Sequence, residues 1–111
     1  MNNHKKIGLI GGVGPQATDF IYNKIIELSQ KKYGAKNNAD YPYLIIESVP
    51  VPDFISNNNN ITTAKNMLIN SIAVFDKAGV TKIAIASNTV HILLPELQLT
   101  TKIKFLSIVD L

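Results

Sequence analysis

The sequence predicts an α/β fold, a three-layer structure in which a four-stranded parallel sheet is flanked by helices. Three observations carry that expectation. Short β-branched runs alternate with stretches of helical period along the whole chain. Glycine or proline punctuates nearly every junction between them. The 111 residues, 46% of them hydrophobic and 17% charged, suit one globular domain over 1–111 and argue against disorder.

The first strand is read at Ile7–Ile10, an apolar run closed by Gly11-Gly12-Val13-Gly14. Pro15 then suits the first helical position, where a missing N–H costs nothing. Ala17, Ile21, Ile25 and Leu28 recur on one helical face, and Gly34 offers a stop. The second strand is Tyr43–Val49, ended by Pro50 and Pro52, neither of which can donate to a central ladder. Residues 53–60, with Asn57-Asn58-Asn59-Asn60, read as a loop. A second helix presents Ala64, Leu68, Ile72 and Phe75 on one face and ends before Gly79. Strand three is expected at Lys82–Ala86, a shorter helix weakened at Pro95 over Val90–Leu97, and strand four at Phe105–Val109.

The resulting β-α-β-α-β-α-β order implies right-handed crossovers. Open sheets of this kind bind ligands beyond the carboxyl ends of their strands. That selects Gly11–Thr18, Pro50–Phe54, Ser87–His91 and whatever follows Asp110.

Composition narrows the chemistry. There is no cysteine, hence no disulfide, thiolate metal site or cysteine nucleophile. The net charge of +3 comes from scattered lysines without a single arginine, so neither a phosphate clamp nor a nucleic-acid surface is expected. No apolar run reaches the ~20 residues of a membrane span, and the basic start at Met1–Lys6 runs into too short an apolar stretch for a leader, so no membrane partner and a cytoplasmic location are expected.

The loops hold the remaining candidates. Gly12 to Ala17 matches G-x-G-x-x-A between a strand and a helix, a geometry that can cradle a nucleotide phosphate. The acid about 20 residues further on that such sites use is missing. Asp53 either binds a substrate or closes an Asx-turn. Ser87-Asn88-Thr89 gathers hydroxyl and amide groups at a strand-to-helix junction, fit either to receive a carboxylate or to cap a helix. Ser87 and His91 lack the G-x-S-x-G context of a hydrolase and an acid placed to orient the imidazole. No histidine and carboxylate cluster has metal-ligand spacing.

Three segments resemble the signatures of the aspartate/glutamate racemase family: Lys6-Ile7-Gly8-Leu9-Ile10-Gly11-Gly12-Val13-Gly14-Pro15-Gln16-Ala17-Thr18, Val49-Pro50-Val51-Pro52-Asp53 and Ala86-Ser87-Asn88-Thr89-Val90-His91. The resemblance implies the N-terminal half of a two-domain enzyme, so the chain is expected to stop before the second domain. It further implies racemisation without pyridoxal phosphate or metal, by two cysteines, one from each domain, that exchange a proton at Cα. Thiols suit that work, since a reference pKa near 8.5 can be lowered until thiol and thiolate are both accessible near neutral pH.

Carried onto this chain, the resemblance puts Ser87 at the first catalytic cysteine position. Asn88 and Thr89 become the carboxylate-binding pair, and Val13, Gly14, Pro15 and Thr18 line the cleft. Phe54 stands where many aspartate racemases carry an arginine. A serine hydroxyl is far less acidic than a thiol, so this chain alone is expected to be inactive. The partner expected is a small amino acid or dicarboxylate, with a non-catalytic carboxylate-binding domain and a nucleotide-phosphate binder as alternatives. A homo-dimer, or association through uncovered surface, is also expected.

Overall fold

The structure is a computed structural model and describes residues 5–11, 15–86 and 90–106, with the backbone alone at Pro15. Four strands form one parallel sheet: β1 (Lys6–Gly11), β2 (Tyr43–Ser48), β3 (Val80–Ile85) and β4 (Lys104–Leu106). Their order is β2-β1-β3-β4. Helix α1 (Pro15–Lys31) connects β1 to β2, α2 (Ile61–Ala78) connects β2 to β3, and a 3-10 turn at Val90–Leu93 leads into α3 (Leu94–Gln98) before β4.

Alternation along β1 sorts the two faces. Ile10 belongs to a core with Leu68, Ile72 and Phe75 of α2, Leu97 of α3, and Ile83 and Ile85 of β3. Leu9 belongs to a smaller core on the other face with Ile21 and Ile25 of α1 and with Ala84 and Ala86. The expected three-layer architecture is present, with the heavier layer on the α2 side. The helix stripes read from the sequence are the buried faces: Ala64, Leu68, Ile72 and Phe75 are buried, as are Ile21 and Ile25.

Helix ends follow their residues. Gly79 adopts φ +80° after α2, and its N–H reaches the carbonyls of Phe75 and Asp76. Lys6 of β1 donates from Nζ to the Ala78 carbonyl at 2.9 Å, placing a cation on the negative end of α2. Gly34, at φ +68°, turns the chain after α1 so that the Ala35 N–H meets the Ser29 carbonyl at 2.9 Å. Lys65 of α2 pairs with Glu96 of α3, and Thr101 donates to the Asp76 carboxylate at 3.0 Å.

Several boundaries differ from the sequence reading. Strand β3 begins at Val80 rather than Lys82, because Val80 is buried immediately after the Gly79 turn. The Val90–Leu97 helix is instead a 3-10 turn followed by α3, in which Pro95 falls in the first turn. There its missing N–H has no intrahelical partner to lose, so Pro95 opens a helix instead of weakening one. Asn58–Asn60, inside the expected loop, forms a 3-10 turn, as does Asn38–Asp40. Strand β4 is described over Lys104–Leu106, and the rest of the expected Phe105–Val109 strand lies outside the described residues.

Gly8 decides how closely α2 packs. A Cβ built there would lie 2.9 Å from two carbons of the Phe75 ring, inside contact distance. The ring therefore rests on bare backbone. Gly8→Ala is expected to cost about 1–3 kcal/mol through overpacking, and Phe75→Ala about 3–5 kcal/mol through the cavity it leaves. Urea unfolding checks both, and Gly8→Ala combined with Phe75→Leu should destabilise less than the two changes summed, because they act on one contact.

Candidate functional site

The sheet order turns the strand ends into a site. Chain order steps from β1 outward to β2 and then crosses back to β3 on the other side of β1. Between β1 and β3 the connections depart in opposite directions, the switch point at which open α/β sheets leave a crevice. The loops leaving β1 and β3 border that crevice. Backbone bonds hold their bases together: the Ala86 N–H donates to the Ile10 carbonyl at 2.9 Å, and on the other flank the Val49 N–H donates to the Gly11 carbonyl at 2.7 Å. Gly11 thus sits between the exits of β2 and β3.

Gly11 also meets α1. A Cβ there would lie 2.6 Å from Thr18 Cγ2 and 3.0 Å from Thr18 Cβ. Thr18, half-buried on α1, packs over the end of β1, so the helix start lies directly above the strand exit. Of the other residues expected in the site, Pro15 is the first residue of α1. Val13, Gly14, Ser87, Asn88 and Thr89 lie outside the described residues, as does Gly12. The segments they belong to leave from Gly11 and Ala86, which the sheet places side by side.

Asp53 is engaged in turn formation. Its carboxylate accepts the N–H groups of Ile55 at 3.0 Å and Ser56 at 3.2 Å, and Asn60 Nδ2 donates to its carbonyl at 2.6 Å. The Ser56 backbone N–H, then the Ser56 hydroxyl and the Ile55 N–H, hold this carboxyl below the usual aspartate range. Asp40 behaves alike, held down by the N–H groups of Asn37 and Lys36. Of the two readings of Asp53, the Asx-turn is the one present.

Phe54, at the position noted for a missing arginine, is 4% exposed and belongs to the α2-side core beside Val49 and Val90. The loop is therefore anchored from beneath by an aromatic ring. His91, in the 3-10 turn after β3, is half-buried, and its buried Nε2 has no hydrogen-bond partner among the described residues.

The sequence reading passed over the apolar rim. Phe20 of α1, Ile55 of the loop after β2 and Ile92 after β3 are all exposed on segments that leave the carboxyl ends of the strands. A signal for Phe20 existed, since it falls off the Ala17-Ile21-Ile25-Leu28 stripe. Among the described residues, no group of three histidine, cysteine, aspartate or glutamate side chains could hold a metal ion, and no helix is long and apolar enough to cross a membrane.

A parallel sheet with its switch point between β1 and β3, a glycine-rich exit from β1 and a Ser-Asn-Thr exit from β3 together define one domain of the aspartate racemase fold. The sequence model described as Asp/Glu/Hydantoin racemase matches residues 10–111, and the chain belongs to that family. It is 35% identical over 104 residues to the broad specificity amino-acid racemase RacX of Bacillus subtilis (strain 168), covering 94% of this chain and 46% of that protein.

Solved structures agree. PH1733, an aspartate racemase homologue from Pyrococcus horikoshii OT3, superposes with a TM-score of 0.79 at 37% identity, over 96% of this chain and 46% of that one. The Picrophilus torridus aspartate racemase gives a TM-score of 0.78 at 30% identity, over 93% and 43% respectively. The chain spans about half the length of these relatives.

Two outcomes follow from the local geometry. Gly11→Ala is expected to destabilise the fold by about 1–3 kcal/mol in urea unfolding, because Thr18 must withdraw from the end of β1. The aspartate shifts set a pH dependence. A carboxyl whose folded pKa is depressed adds stability that is complete above the unfolded value of about 3.9 and is lost as pH falls through the folded value. Stability should therefore drop below about pH 4, and Asp53→Ala should flatten that acid limb. Carboxyl-detected NMR titration should find Asp53 and Asp40 below the ordinary aspartate value.

Proposed function

We propose that this chain is the substrate-carboxylate-holding half of an amino-acid racemase of the aspartate/glutamate type. Asn88 and Thr89 receive the α-carboxylate of a small amino acid or dicarboxylate, and the Val13, Gly14, Pro15 and Thr18 segment forms the facing wall. The observation that carries this reading is the backbone pairing of the β1 and β3 exits, Ala86 N–H to Ile10 carbonyl, which brings the bases of both segments to one crevice. Charge-assisted hydrogen bonds from amide, hydroxyl and backbone N–H donors suit a carboxylate, and they need no arginine.

Ser87 takes the place of the proton-transferring thiol. Abstraction of a Cα proton needs a base that is deprotonated near neutral pH, and a second group on the opposite face must return a proton to invert the centre. A serine hydroxyl does not meet the first requirement, and with no cysteine in the 111 residues neither thiol is supplied here. The chain by itself therefore binds without racemising, and racemisation belongs to a longer, thiol-bearing form of the fold.

Two measurements test the pair of statements. Circular dichroism of L-aspartate and L-glutamate incubated with the purified chain should show no loss of optical activity above background; racemisation would refute the inactive assignment. Calorimetry with aspartate, glutamate and simple dicarboxylates should show binding that Asn88→Ala and Thr89→Val each weaken by about tenfold or more, the range for hydrogen bonds to a charged group. Absence of heat with every ligand at millimolar concentration would remove the carboxylate site.

A further inference from the structure

We propose that β2 is a self-association edge: a second copy of this chain pairs with it antiparallel about Ile45 and extends the sheet across a two-fold axis. Strand β2 is outermost in the sheet and has β1 as its only strand neighbour. The Val49 N–H points at Gly11 of β1, and backbone direction alternates along a strand. Tyr43, Ile45 and Glu47 therefore aim their backbone groups at β1, while Leu44, Ile46 and Ser48 aim theirs outward. Those outward groups form an unpaired ladder among the described residues, the standard template for adding a strand.

The side chains beside that ladder are apolar where an edge guarded against pairing would carry charge. On the α1 face, Ile46 is 43% exposed and Tyr22 41% exposed. Together with Ile26, Tyr41, Pro42 and Leu44 they line an open groove between α1 and β2. On the α2 face, Tyr43 is 50% exposed, and Lys6 Nζ stands 5.2 Å from its ring centroid. Glu47 lies on that same face and makes no ion pair among the described residues.

These features choose a second copy and a register. Pairing Ile45 with Ile45 of the second copy sets Leu44 opposite Ile46 as a hydrogen-bonded pair, twice by symmetry, and joins the two apolar grooves. It also sets Tyr43 opposite Glu47, so each glutamate meets the Lys6 ammonium across the tyrosine ring. The charges are complementary within one sequence, as a two-fold interface requires. The neighbouring register, centred on Ile46, would put Glu47 against the apolar Ile45 and leave Lys6 unmatched. A six-residue edge with two grooves belongs with small, reversible interfaces.

Sedimentation equilibrium of the 111-residue chain should show a reversible monomer–dimer equilibrium, and Ile46→Lys should weaken the association about tenfold or more without altering the far-ultraviolet circular dichroism. The register is read by disulfide trapping, unambiguous because the chain has no cysteine of its own. Tyr43→Cys mixed with Glu47→Cys should cross-link about tenfold faster than either variant alone, since facing Cα atoms of a non-hydrogen-bonded pair lie about 4.5 Å apart, within disulfide reach. Two copies of the same variant would hold their cysteines about 13 Å apart, four residues along a strand. A chain that stays monomeric up to about 1 mM would overturn the proposal. So would a dimer indifferent to Ile46→Lys, or equal cross-linking in the mixed and unmixed samples.

Discussion

The structure depends on β1 being thin in two places. This strand pairs with β2 on one side and β3 on the other, and it is covered by helices on both faces. At Gly8 the Phe75 ring of α2 approaches to a distance no Cβ would permit, and at Gly11 the Thr18 side chain of α1 does the same from the opposite face. Both helical layers are thus registered on one strand through positions that lack side chains. Close packing leaves little slack for anything larger at either point.

That constraint propagates to the strand exits. With α1 drawn down at Gly11, the chain leaves β1 and enters a helix within four residues. Ala86, the first residue past β3, is held to Ile10 by a backbone bond. Two segments 70 residues apart in the chain thereby share one crevice, bounded on a third side by the β2 exit at Val49. The same tightness explains Phe54: its ring fills the α2-side core beneath the β2 exit while Asp53 closes the turn above it. A side chain in that role anchors the loop and is unavailable to a ligand.

The two faces are not equivalent. The α2 layer joins α2, α3 and the loop around Phe54 into one core, whereas the α1 layer rests on a single helix and leaves β2 open along its flank. The chemistry at the carboxyl ends and the association proposed along β2 therefore occupy different edges of the sheet and can vary independently.

Local signals in the sequence determined the element types, their order, the buried stripes of α1 and α2 and the Gly79 stop, because helical period and a left-handed glycine report on neighbours a few residues away. They also picked out the segments after β1 and β3 and showed the chain to lack the thiol its family signature leads one to expect. Boundaries were less legible where tertiary burial overrode pattern, as at Val80, and Pro95 was ambiguous until the helix start was known. Only the tertiary structure decided the strand order β2-β1-β3-β4, and with it which two loops meet. It also settled that Asp53 holds a turn, that Phe54 is core, and that β2 lies at an edge. The physical reason is that strand order and edge position are set by which surfaces pack across long separations in sequence, and a window along one chain does not contain that information.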